Sequence, residues 1–246
     1  MRIAFIGCMV MSREISYEIY QSENSYRTWW LDQGLHDTPE QIRAELQGII
    51  DSIEITAASD IPRKGFDMIC IGYGLCSKGI IGLQSRSIPL VIPKCEDCIS
   101  LFLGSSSQYY SCASKYPGTY WYTSGWIENA FTPSRKNYDL LLKHYESLYG
   151  IENAEYLLQA TNSWMNKYCH AAYICSPIFQ CNDHIEYVRS AADDFDWNYT
   201  QIEGSMTLFH RLMNGPWDKD DFVICPPKHT IINTFDPDLF RAIPIE

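Results

Sequence analysis

The sequence predicts an α/β fold: a Rossmann-like open, mostly parallel sheet flanked by helices, with an aromatic-rich insertion. Three observations predict it. Residues 1–105 alternate short apolar runs with stretches of helical periodicity. The runs at 66–73 and 88–92 are apolar almost without a break, the pattern of parallel strands covered on both faces. Tyrosines and tryptophans then crowd residues 109–126 before strand–helix alternation resumes. With no linker and no internal repeat, the chain reads as one α/β domain over 1–246, divisible into halves at 1–105 and 106–246.

The elements follow in order. A first strand is expected at 2–7 and a short helix over 11–21. A second strand lies near 26–33. Asp37 and Thr38 offer N-caps, Pro39 suits a first helical turn, and Glu40 favours the positive helix end. The helix that follows puts Ile42, Leu46, Ile49, Ile50 and Ile53 on one face. After the strand at 66–73, helical pattern is expected over Gly79–Leu83. After the strand at 88–92 it is expected over Cys98–Leu103. Ser105–Ser107 and Pro117-Gly118 mark loops, and Tyr120 and Tyr122 share one face of a strand with Trp121 opposite. Helices are expected at 135–149 and 151–168, separated by Gly150. Strand 171–174, helix 181–194, strand 197–202, helix 204–213 and strand 222–225 complete the chain.

Composition is that of a globular protein, with 46% hydrophobic and 20% charged residues. A net charge of −11 argues against a nucleic-acid partner, because phosphate backbones need a basic face. No apolar run approaches the roughly 18 residues of a membrane span, so no membrane partner is expected. The N-terminus reads as a first strand and not as a signal peptide. Ten cysteines, several within buried-looking strands, are therefore expected to be cytoplasmic thiols.

The chemistry concentrates after the strands. Cys8, His36, Cys76 and the pair Cys95 and Cys98 each follow a predicted strand. In an open parallel sheet the working crevice lies outside the carboxyl ends of the strands. Cys8, Cys76, Cys95 and Cys98 are the expected metal ligands, since thiolates hold zinc, iron–sulfur clusters and other soft metals. His36 and Glu96 are the candidate acid–base groups. Cys95-x-x-Cys98 also allows a dithiol redox pair. Gly74 and Gly79 are expected to let backbone approach a cofactor, although their segment matches neither a dinucleotide fingerprint nor a P-loop. The aromatic belt is core first, with Tyr120 the candidate wall for a bulky cofactor. Cys225 and His229, after the last strand, could face the same crevice. No serine-hydrolase elbow or zincin motif occurs.

Several segments together resemble the family called domain of unknown function 1638. They are Leu35-His36, Tyr73-Gly-Leu-Cys76, Leu90-Val-Ile-Pro93, Asp97-Cys98-Ile99, Leu103-Gly-Ser105, Pro117-Gly-Thr-Tyr120, Gly125-Trp126, Asn153-Ala-Glu-Tyr156, Trp217-Asp218 and Phe222–Pro227. The resemblance covers nearly the whole chain. It implies a cytosolic protein of anaerobic bacteria or archaea, encoded near corrinoid-dependent methyltransferase systems. The family pattern falls on Cys8, His36, Cys76 and Cys98. A histidine commonly precedes Asp-Cys in the family, whereas Glu96 stands there in this chain beside Cys95.

The expected function is thus a metal-dependent, cysteine-site protein of methyl-transfer or one-carbon metabolism, a methyltransferase or its accessory. Zinc or an iron–sulfur cluster is the expected cofactor. A small molecule or a methyl-corrinoid is the expected substrate, with a corrinoid protein as partner. The alternatives are a corrinoid or metal carrier without catalysis, and a CxxC thiol redox protein.

Overall fold

The computed structural model describes the backbone of residues 1–58, 65–234, 236 and 238–245, with side chains at 36, 37, 56–58 and 77 outside the described set. In chain order the elements are β1 (Arg2–Cys8), α1 (Ser12–Gln21), β2 (Ser25–Leu31), α2 (Pro39–Ala58), β3 (Met68–Gly72), β4 (Gln84–Ser85), β5 (Leu90–Pro93), α3 (Cys98–Leu103), α4 (Ser106–Lys115), β6 (Thr119–Tyr122), α5 (Ser124–Asn129), α6 (Arg135–Tyr149), α7 (Ile151–Thr161), β7 (His170–Cys175), α8 (Asn182–Asp194), β8 (Asn198–Glu203), α9 (Thr207–Asn214), β9 (Phe222–Cys225), β10 (His229–Asn233) and β11 (Phe240–Pro244). They form two compact units, one of residues 1–109 with 204–246 and one of residues 110–203.

The first unit is built on a sheet of order β2-β1-β3-β5-β9. The first four strands are parallel and β9 is antiparallel to β5. Ile3, Ala4, Phe5 and Ile6 of β1 are all fully buried, which explains the unbroken apolar run. Ile42, Leu46, Ile50 and Ile53 of α2 are buried as their periodicity requires. From β1 the chain crosses through α1 to β2 on one side, then through α2 to β3 on the other. The switch point of the topology therefore lies between the carboxyl ends of β1 and β3. A separate antiparallel sheet, β11-β10-β4, belongs to the same unit.

One carboxylate ties α2 to the β4 segment. Glu54 is buried, and it accepts hydrogen bonds from the hydroxyls of Ser85 and Ser87 and from the N–H groups of Arg86 and Ser87. Burial alone would raise its pKa, but these hydrogen bonds outweigh burial and hold it below the ordinary 4.5. Its stabilisation is therefore complete above about pH 4.5 and fades as pH falls through the depressed folded value. Glu54→Gln is expected to cost about 2 kcal/mol in urea unfolding at pH 7 and less in acid, once the pH has fallen below the depressed folded value. An equal cost at both pH values would exclude the ionised carboxylate as the cause.

The second unit carries the parallel sheet β6-β7-β8. Its core gathers Tyr122, Tyr173, Val188, Ala191, Ala192 and Trp197, and the Tyr122 hydroxyl donates to Pro133 O at 2.9 Å. Of the aromatic-rich stretch, Tyr122 belongs to this core and Tyr120 packs against it, whereas Tyr110 is exposed.

The mixed α/β class, with mostly parallel sheets, is as expected. Four details differ. Ser106 and Ser107, expected in a loop, open the helix α4 (Ser106–Lys115). Residues 79–83 do not continue as a helix: a single tight turn at Cys76–Lys78 is followed by further turns. Gly82, at φ +90, breaks the helical course and donates to Ile231 O, while Ile80 and Leu83 are buried from the turns. The helix from 151 ends at Thr161, where the Asn162 side chain takes Leu158 O. The short strands β4, β10 and β11 went unread because two or five residues carry too little periodicity. Among the described residues, no helix is long and apolar enough to cross a membrane.

Candidate thiol site at the carboxyl edge of the sheet

Four of the expected residues come together in the first unit. Cys8 is the last residue of β1, Cys76 lies four residues beyond β3, Cys95 two beyond β5, and Cys98 opens α3. All four are buried and none is in a disulfide. Their charges act on one another: Cys76 feels Cys8, and Cys98 feels Cys76, Cys8 and Cys95.

The loops that carry them are joined by their backbones. Leu75 N donates to Cys95 O and Cys76 N donates to Glu96 O, each at 2.8 Å. Gly74 makes this approach feasible: a Cβ there would stand 2.5 Å from Cys95 O and 2.7 Å from Cys95 Sγ. Gly74→Ala is expected to separate the loops and cost about 1–3 kcal/mol in denaturant unfolding. A variant of unchanged stability would show that the loops tolerate separation. Cys76 itself has φ +42, a left-handed conformation uncommon for a residue with a side chain. Asp97 caps α3, accepting from Ile99 N at 2.9 Å.

Burial is the largest influence on each thiol and pushes all four up. For Cys8, backbone hydrogen bonds from Val10 and Met9 and one from the Tyr73 hydroxyl oppose burial without overcoming it. For Cys76, backbone hydrogen bonds from Gly74 and Cys98 do the same. The charged side chains that act most on the four thiols are acids: Asp32 on Cys8, Asp97 on Cys76 and Cys98, and Asp97, Glu96 and Asp221 on Cys95. Asp97 is itself raised to about 6, by burial first and by Glu96. Tyr73, buried between the strand and the thiols, is raised by burial and by Cys8, Cys76 and Cys98. The edge is a buried collection of acids, whose ionisation would be favoured by a cation.

Among the described residues, no three His, Cys, Asp or Glu side chains stand in metal-holding geometry. The donor chemistry suits a soft metal. The Cys95 thiol is directed at Pro93 O, 3.7 Å away.

The remaining expected residues fall elsewhere. His36 belongs to the helical turn Gln33–Asp37, and its side chain lies outside the described residues. Glu96 flanks the thiols through its backbone oxygen and its charge. Gly79 packs on Ile42, which a Cβ would approach to 2.9 Å. Tyr120 is in the second unit, where its hydroxyl accepts from Trp126 Nε1 at 3.1 Å and its ring stacks near Trp197. Cys225 does not reach the edge where Cys95 lies. Because β9 runs antiparallel, Cys225 pairs with Leu90 at the opposite end of β5, and His229 Nδ1 bonds Pro227 O. Tyr73 and Asp32 were not anticipated. Tyr73 had a signal, a hydroxyl-bearing residue ending an apolar run directly before Gly74.

The family model of "Protein of unknown function (DUF1638)" matches residues 30–213, well over half of the chain. No curated protein and no solved structure matches it.

Proposed function

The chain belongs to the DUF1638 family of proteins of unknown function, and from that premise we propose that it is a thiolate–metal protein of methyl-transfer or one-carbon metabolism. In this reading it is a methyltransferase or its accessory. Cys8, Cys76, Cys95 and Cys98 hold zinc or an iron–sulfur cluster at the edge of a sheet that works in the Rossmann-like manner. One observation carries the reading: four buried thiols carried by three strand ends lie near enough at one sheet edge to act on one another, amid acidic side chains, an environment that a cation would complement. A bound metal would supply a thiolate nucleophile or a Lewis acid at neutral pH. The chain's own contribution is to exclude water, to direct the Tyr73 hydroxyl at Cys8, and to hold Cys76 and Cys95 on joined loops.

The methyl-transfer setting, with a methyl-corrinoid as substrate or a corrinoid protein as partner, rests on the family resemblance. His36 and Glu96 are the proposed proton-handling groups, and Gly74, Gly79 and Tyr120 the proposed cofactor contacts. The test is elemental analysis and an absorption spectrum of anaerobically purified protein. One zinc per chain without visible bands, or iron with charge-transfer bands, is the expected result. Because burial keeps the thiols protonated, adding zinc to the chelator-treated protein should also release protons. Protein that retains neither metal and releases no protons on zinc addition would overturn the reading. A corrinoid carrier would instead purify coloured by a corrinoid. A CxxC redox role predicts a change in thiol titre confined to Cys95 and Cys98, and raised thiol pKa values weigh against it.

A further inference from the structure

A cleft of about 500 Å³ opens where α2 passes the β4 segment, lined by Gln47, Asp51, Gln84, Arg86, Lys228 and Ile245 among others. It lies by the amino end of β5: Ser85–Pro89 lead into Leu90, and the turn bearing Lys228 follows Cys225, which pairs with Leu90. This is the edge opposite the thiols.

Two side chains of α2 fix the backbone on both sides of Arg86. The Gln47 amide spans Gln84, donating to its O and accepting from its N, each at 3.1 Å. Glu54 accepts from Arg86 N at 2.9 Å and Ser87 N at 2.6 Å. The Arg86 guanidinium makes no hydrogen bond or ion pair among the described residues. Neither does the Lys228 ammonium. Lys228 has φ +60, a conformation that favours glycine, and its backbone is anchored by Ser85 O at 2.8 Å and Ile245 N at 2.9 Å. An arginine with an anchored backbone and a lysine at a left-handed turn thus share one cleft, neither side chain having a hydrogen-bond or ion-pair partner among the described residues, in a chain of net charge −11.

We propose that this cleft binds a small phosphate monoester, with the phosphate between Arg86 and Lys228. A guanidinium and an ammonium together suit a dianionic phosphate. Asp51 accepts from Gln47 Nε2 at 3.0 Å through one oxygen, which leaves the other to receive a ligand hydroxyl. Ile245 and the methylene stems of Gln47, Arg86 and Lys228 offer an apolar wall to the ligand's carbon skeleton. The volume fits a compact phosphorylated sugar or nucleoside.

The test is calorimetric titration of the full, chelator-treated chain with ribose 5-phosphate and with inorganic phosphate at constant ionic strength. Both should bind saturably, the sugar phosphate more tightly, with Asp51→Asn removing the difference. Arg86→Ala and Lys228→Gly should each weaken binding by about 10-fold or more. Lys228→Gly should melt no lower than the parent, because glycine relaxes the turn, so its loss of binding would not be a loss of fold. No saturable heat with either phosphate, or undiminished binding in both variants, would overturn the proposal.

Discussion

On the proposed reading, replacing Cys76 with serine is expected to weaken metal binding by more than about 100-fold, the upper range for losing an outer-shell partner and a lower bound for losing a ligand. Cys76 is central to the cluster, since Cys8, Tyr73, Cys95 and Cys98 all register its charge or lend it theirs. A serine oxygen is a poorer donor to a soft metal than a thiolate. Cys112→Ala provides the control: that thiol is buried in α4, distant in sequence from every strand end of the site, and its removal should leave metal content unchanged. Metal per chain, measured after competition with a chelator of known affinity, separates the outcomes. Full metal content in the Cys76 variant would remove Cys76 from the ligand set and leave the cluster without its centre. Parallel losses in the two variants would point to general instability.

Phe5→Ala is expected to have the largest effect on the fold, about 3–5 kcal/mol in denaturant unfolding at unchanged slope. Phe5 is fully buried, and its ring lies 5.4 Å from that of Trp30. The ring also fills the space left by two paired glycines. A Cβ on Gly7 would stand 2.5 Å from it and one on Gly72 2.6 Å from it, and Gly7 pairs with Gly72 across β1 and β3. Those glycines immediately precede Cys8 and Tyr73. Removing the ring therefore leaves a void beneath the loops that bear the thiols, and metal affinity should fall along with stability. A cost below about 1 kcal/mol would mean that the sheet collapses into the void without strain.

Much of the first unit was legible because its strands are long, apolar and followed by chemistry-bearing residues. Cys8, Cys76, Cys95 and Cys98 could be placed on one edge from strand ends alone, since parallel strands share a carboxyl side. The same reasoning failed for Cys225. Nothing in Phe222–Cys225 tells a parallel from an antiparallel strand, and direction decides which edge its last residue occupies. Glu54 carries no signal of its own in the sequence. Its role depends on where residues 85–87 return, a contact across about thirty residues of sequence that no local pattern encodes. Tyr120 was ambiguous in the same way, because an aromatic residue that walls a pocket and one that fills a core share the same alternation.

The antiparallel β9 has a consequence for synthesis. The sheet that carries the thiols is complete in sequence at Pro93 except for this strand, which arrives only after residues 94–221 have been made. Until then β5 presents an open edge, a template for pairing with another chain. A nascent chain stalled before Phe222 should therefore be more prone to edge-to-edge association than the mature one, because only the last strand closes that edge.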